Sequence, residues 1–142
     1  MRTRNLIINL FFIFSSFLLA QNSFTLHEYS EGAGNYDWYI NINSSDNIGG
    51  FSFTVDGVLV TEAGEGIVEN YGFLGLPNSV TITEGNIITG TSVTGAFIPP
   101  IGGVFLKLKV DGDVVTGLSN ITVVDNFGVP VDFIYIPSDD GG

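Results

Sequence analysis

Apolar side chains recur at every second position of this chain, in short runs separated by clusters of glycine, proline, asparagine and aspartate. Trp38, Ile40 and Ile42 alternate with Tyr39, Asn41 and Asn43; Phe51, Phe53 and Val55 alternate with Ser52, Thr54 and Asp56. Successive side chains of a β-strand point to opposite faces, so this period sets one apolar row against a core and one polar row in water. The longest case puts Val104, Leu106, Leu108 and Val110 on one side and Phe105, Lys107 and Lys109 on the other. Slipping its pairing by one residue would turn the whole apolar row outward, which specifies the register strongly. Further β-branched runs lie at 58–61, 80–83, 87–93, 121–124 and 131–136. About eight or nine short strands are expected.

Breakers fall between these runs at 47–50, 62–66, 84–86, 99–103, 111–113 and 125–128, each holding glycine, proline, asparagine or aspartate. The one stretch that reads as a helical turn is 66–71. Strands and helices do not alternate, which argues against a parallel sheet. The expected fold class is therefore all-β: an antiparallel jelly-roll β-sandwich whose two sheets bury their apolar faces against each other.

The chain opens with Arg2 and Arg4, then an apolar run over 6–19 interrupted by Asn9, Ser15 and Ser16, then Ala20. That layout predicts a secretory signal peptide over 1–20. The run is shorter than the roughly 20 residues of a membrane-spanning helix, so no membrane insertion is expected and the location is secreted, extracellular or in the cell envelope. Residues 21–136 then form one sandwich domain, and 137–142 a polar tail or linker. All 15 acidic residues lie after Ala20, where Lys107 and Lys109 alone oppose them, giving 2 minus 15, or −13. Such a charge repels phosphate backbones and excludes nucleic acid as a partner. With no cysteine, packing must hold the domain together.

Catalytic chemistry finds little to use. His27 is the lone histidine, and no Gly-x-Ser-x-Gly turn occurs. Carboxylates are plentiful but sit in turns, with no spacing that picks out an acid–base pair. The expectation is a protein that is not an enzyme and needs no cofactor. Asp111-Gly112-Asp113 and Asp125-Asn126-Phe127-Gly128 offer oxygen ligands to a hard cation, and equally are what a tight turn prefers, which leaves a metal site open. Recognition falls to the outward rows. Tyr39 with Asn41 beside it, and Phe105 with Lys107 beside it, are the candidate ligand-binding residues, aromatic platforms with polar neighbours.

The Tyr39–Asn43 strand, the Gly49-Gly50-Phe51-Ser52-Phe53-Thr54-Val55 strand, the Gly103-Val104-Phe105-Leu106-Lys107-Leu108-Lys109-Val110 strand and the closing stretch from Leu118 to Gly128 together resemble bacterial cohesin-like domains and the carbohydrate-binding modules that share their sandwich. The resemblance implies a non-catalytic extracellular module that grips a dockerin-like protein domain or a polysaccharide through an exposed sheet face. The alternative is a structural or adhesive subunit that self-associates through its sheet edges.

Overall fold

A computed structural model describes residues 21–29, 35–112 and 114–137; the expected signal segment 1–20, Asp113 and the tail from 138 onward lie outside the described residues. The strands are β1 (Ser23–Glu28), β2 (Trp38–Asn43), β3 (Gly50–Asp56), β4 (Leu59–Gly64), β5 (Ser79–Thr83), β6 (Ile87–Thr91), β7 (Gly102–Asp111), β8 (Gly117–Val124), β9 (Pro130–Val131) and β10 (Ile134–Tyr135). A single helical turn, α1 (Ile67–Asn70), follows β4, inside the 66–71 stretch that the sequence marks. The first sheet has the order β10-β1-β2-β7-β4 and the second β5-β6-β3-β8-β9.

The all-β sandwich matches the expected class, with some additions. β1 is a strand the sequence reading passes over. It pairs in antiparallel fashion with β2, and also runs parallel to β10, a departure from the all-antiparallel expectation. The run at 131–136, read as one strand, is two. Val131 pairs with β8 in the second sheet and Ile134 with β1 in the first, so the chain crosses between the sheets at Asp132 and Phe133. Phe133 uses the crossing to stack on Phe24, with ring centroids 4.8 Å apart.

The core lies between the sheets. Phe24, Trp38, Ile40 and Leu108 from the first sheet meet Phe51, Phe53, Val55 and Ile88 from the second, all at most 4% exposed. Each such side chain stabilises the fold by about 1.5–3 kcal/mol relative to leaving it in water. Gly90 sits under the Phe51 ring, where an added Cβ would lie 2.2 Å from it, so the ring occupies the space of a side chain.

One register shift changes the sequence reading. Ile40 faces Leu106, but Asn41 faces Val104, which leaves Phe105 as the extra residue of a β-bulge in β7. A bulge resets the alternation. Phe105 and Leu106 are consequently both buried, Phe105 at 0% exposure against Phe24 and Phe51, while Val104 turns to the outer face beside Asn41. The expected placement of Phe105 outside and Val104 inside is thus reversed. A second shift lies in β8: Ser52 faces Thr122 and Thr54 faces Ser119, with Asn120 at φ 52° absorbing the extra length.

Candidate functional site

Three of the four candidate residues share the outer face of the first sheet. Tyr39 stands opposite His27 on β1 and Lys107 on β7, and Asn41 opposite Thr25 and Val104. Phe105 is absent from this face because the bulge turns it into the core, so it offers no platform to a ligand.

The side chains that remain engage one another. The Tyr39 ring stacks on His27, with centroids 5.0 Å apart and planes 22° apart, and meets Tyr29 at 4.7 Å. Lys107 Nζ donates to Glu65 Oε1 at 2.9 Å and lies 5.9 Å from the centre of the Tyr29 ring. The hydrogen bond to Glu65 raises the Lys107 pKa above its ordinary value. Tyr36 lies over β4: a Cβ on Gly64 would come 2.7 Å from its hydroxyl oxygen, and that hydroxyl is 3.5 Å from Glu62 Oε1. Burial, followed by the charges of Glu62, Glu65 and Glu69, pushes the Tyr36 pKa up. The Asn41 Oδ1 is buried and, among the described residues, accepts no hydrogen bond.

The outer face of the second sheet is different in kind. β3 presents Ser52, Thr54 and Asp56, and β6 answers with Thr89 opposite Ser52 and Ile87 opposite Thr54. β5 adds Thr81 opposite Thr89, and β8 adds Thr122 opposite Ser52. Ser52 and Thr89 hydroxyls are 3.1 Å apart, and Ser119 donates to Asp56 Oδ1 at 2.9 Å. Both lysines that follow residue 20 belong to β7, so this face carries no lysine or arginine. The sequence holds this face openly, as the polar half of the same alternation that marks the core. Aromatic residues attract the eye first, and a row of serines and threonines does not.

Of the two acidic stretches, 125–128 is a turn, while Asp111 ends β7 and Asp113 lies outside the described residues. Asp125 Oδ1 accepts from the backbone N–H of Phe127 at 2.8 Å and of Val129 at 2.9 Å, which fastens its own loop. Among the described residues no group of three or more histidines and carboxylates is placed to hold a metal ion, and no helix is long and apolar enough to cross a membrane.

No protein-family model matches the chain, and no curated protein matches it either. Solved structures do. The fold is similar to the non-cellulosomal cohesin from the hyperthermophilic archaeon Archaeoglobus fulgidus, with a TM-score of 0.57 and 16% identity over 82% of this chain and 87% of that one. It is similar to the sixth cohesin of Acetivibrio cellulolyticus scaffoldin B, solved in complex with a mutant Cel5 dockerin, with a TM-score of 0.54 and 15% identity over 83% and 94% of the two chains. A type I cohesin–dockerin complex from Clostridium thermocellum gives a TM-score of 0.54 and 14% identity over 82% and 89%. The chain therefore has a cohesin-like β-sandwich fold.

Proposed function

We propose that the domain is a secreted, non-catalytic docking module that binds a dockerin-like protein domain on the outer face of its second sheet. The observation that carries this reading is the likeness of fold to cohesin domains, two of which are named in complex with dockerins. Chemistry supports the choice of face. Hydroxyl groups both donate and accept hydrogen bonds, so a serine and threonine surface suits a partner's mixed polar groups. Short side chains also lose little rotamer freedom when covered, which lowers the cost of association. On the first sheet the rings and the ion pair are engaged with each other, whereas on the second Thr81, Thr83, Thr91 and Thr122 stay exposed beside the Ser52–Thr89 and Ser119–Asp56 pairs.

Calorimetric titration of the intact chain against a panel of dockerin domains tests the proposal, with Thr54→Arg on the second sheet and Tyr39→Ala on the first as the paired variants. Saturable binding that Thr54→Arg abolishes and Tyr39→Ala preserves is the expected result. An insoluble-polysaccharide pull-down runs beside it. Polysaccharide binding lost in Tyr39→Ala would move the function to the first sheet, where Asn41 and Lys107 would supply the polar contacts without help from Phe105. Absence of both activities would remove the docking reading.

A further inference from the structure

Among the described residues four strands end the two sheets: β10 and β4 in the first, β5 and β9 in the second. Open strand edges are templates for another strand, and proteins shield them with shortness, proline, charge or bulges. Three of these edges are shielded in that way. β9 and β10 are two residues each, and β9 begins at Pro130. β4 carries a register shift between Val60 and Glu62, and Glu62 lies on it as a charge. β5 has none of these devices. It runs unbroken from Ser79 opposite Thr91 to Thr83 opposite Ile87, without charge or proline.

The sequence of β5 is also complementary to itself. Ser79-Val80-Thr81-Ile82-Thr83 reads, in either direction, as hydroxyl, apolar, threonine, apolar, hydroxyl. If two copies pair in antiparallel fashion about Thr81, Thr81 faces Thr81 of the second copy, Val80 faces Ile82 and Ser79 faces Thr83. Matched β-branched pairs are among the favourable cross-strand neighbours, and no polar group meets an apolar one. The same arrangement gives cover to two exposed leucines. Leu76, 93% exposed and three residues before β5, is carried toward the far end of the second copy's β5, where Leu59, 54% exposed, lies beside Gly85.

We propose that the protein forms a two-fold homodimer through β5, which joins the second sheets of two copies into one continuous sheet. Charge sets its character. Residues 77–83 hold no charged side chain, and the Glu84 that closes each strand falls at opposite ends of the pair, but the acidic bodies repel at longer range. The dimer therefore tightens as salt is added. A five-residue edge with two leucines is small for an interface, so association is weak and concentration-dependent. The dimer stands independently of the docking reading, and would set two docking faces side by side.

Sedimentation equilibrium of the intact chain up to about 1 mM, the level at which binding of about 4 kcal/mol is half saturated, gives the first test. The chain has no cysteine, so Thr81→Cys gives a clean cross-linking probe, with the exposed Thr61→Cys on β4 as its control. Expected are a monomer–dimer equilibrium that salt favours, a disulfide-linked dimer from Thr81→Cys at least tenfold more abundant than from Thr61→Cys, and a monomer from Thr81→Lys with an unchanged melting temperature. A chain that stays monomeric throughout, a dimer indifferent to Thr81→Lys, or equal cross-linking at 61 and 81 would each overturn the proposal. Should Thr81→Lys melt early, the comparison of the two cysteine variants decides.

Discussion

The inner faces of the two sheets are nearly interchangeable in chemistry, with Phe24, Leu26, Ile40 and Leu108 on one side meeting Phe51, Phe53, Val55 and Ile88 on the other. Their outer faces share almost nothing. The first sheet gathers His27, Tyr29, Tyr39 and Lys107 with Glu65 into a cluster whose members contact one another. The second exposes hydroxyls at Thr81, Thr83, Thr91 and Thr122, with little between them and solvent. The difference teaches that conspicuous residues are not the same as available ones. A stacked tyrosine with a bonded lysine beside it has spent much of its capacity inside the fold, whereas a plain row of threonines keeps its donors and acceptors for a partner.

The largest effect should come from the residue that the bulge moves between these two environments. Phe105→Ala empties a fully buried site between Phe24 and Phe51 and is expected to cost about 3–5 kcal/mol in urea unfolding. Lys107→Ala, two residues along the same strand, removes one partly exposed ion pair and should cost about 1 kcal/mol or less. Near-equal losses would return Phe105 to the surface and undo the contrast between inside and outside on β7. The next effect in size concerns a polar tie between the start of β1 and the loop that joins the two sheets. Asn22, just before β1 and only 7% exposed, accepts from Ser45 N–H at 2.8 Å and donates to Asp46 Oδ2 at 2.8 Å. It fastens the start of the first sheet to the loop that leads into β3. Asn22→Ala removes both bonds, and since the exposed Ser45 and Asp46 can turn to water instead, about 1–2 kcal/mol should be lost, with β1 and β10 showing faster amide hydrogen exchange than β3 and β6. Uniform acceleration across both sheets would deny Asn22 this particular role.

Much of the fold was legible because period two is a physical requirement of a half-buried strand. Trp38, Ile40, Ile42, Phe51, Phe53 and Val55 all point inward, as their alternation predicts. The bulge at Phe105 was not legible, because Val-Phe-Leu-Lys-Leu-Lys-Val satisfies the alternation equally well in the shifted and unshifted registers until a partner strand is known. β1 escaped for another reason: Phe24 and Leu26 are a two-member apolar row, too short to stand out beside polar neighbours. The split of 131–136 depends on a crossing between sheets, which is tertiary information. On the candidate site, the alternation puts Tyr39 and Asn41 on the outer row of β2 and Lys107 on the outer row of β7; that the two rows share one face rests on the pairing of β2 with β7. That Tyr39 would be stacked by His27 and Tyr29 could not be read, since it needs the pairing of β1 with β2.

The smallest expected effect is a pH dependence that reports on the first sheet. Tyr36 and Lys107 both have raised pKa values, Tyr36 through burial and then the nearby glutamates, Lys107 through its hydrogen bond to Glu65. In each case the fold favours the protonated form. The stability this contributes is present below the ordinary values of 10.0 and 10.5 and is lost as the pH rises through the higher values of the folded state. Both groups are only half-buried at the surface, where solvent still screens their charges, so the loss is modest. Tyr36→Phe should remove a late component from the ultraviolet titration of the tyrosines and flatten the fall in melting temperature above about pH 10. Glu65→Gln should flatten it too, since it removes one negative charge near Tyr36 and the partner of Lys107. Thr54→Arg, on the opposite sheet, should leave the contribution of Tyr36 and Lys107 as it is, because it touches none of the glutamates that raise them; the tyrosine close to that face is Tyr135, which burial and then Asp56 raise. An alkaline limb unchanged in Tyr36→Phe would mean that the rings of the first sheet are less tied to their acidic neighbours than their geometry implies, and would reopen that face as a surface free to meet a ligand.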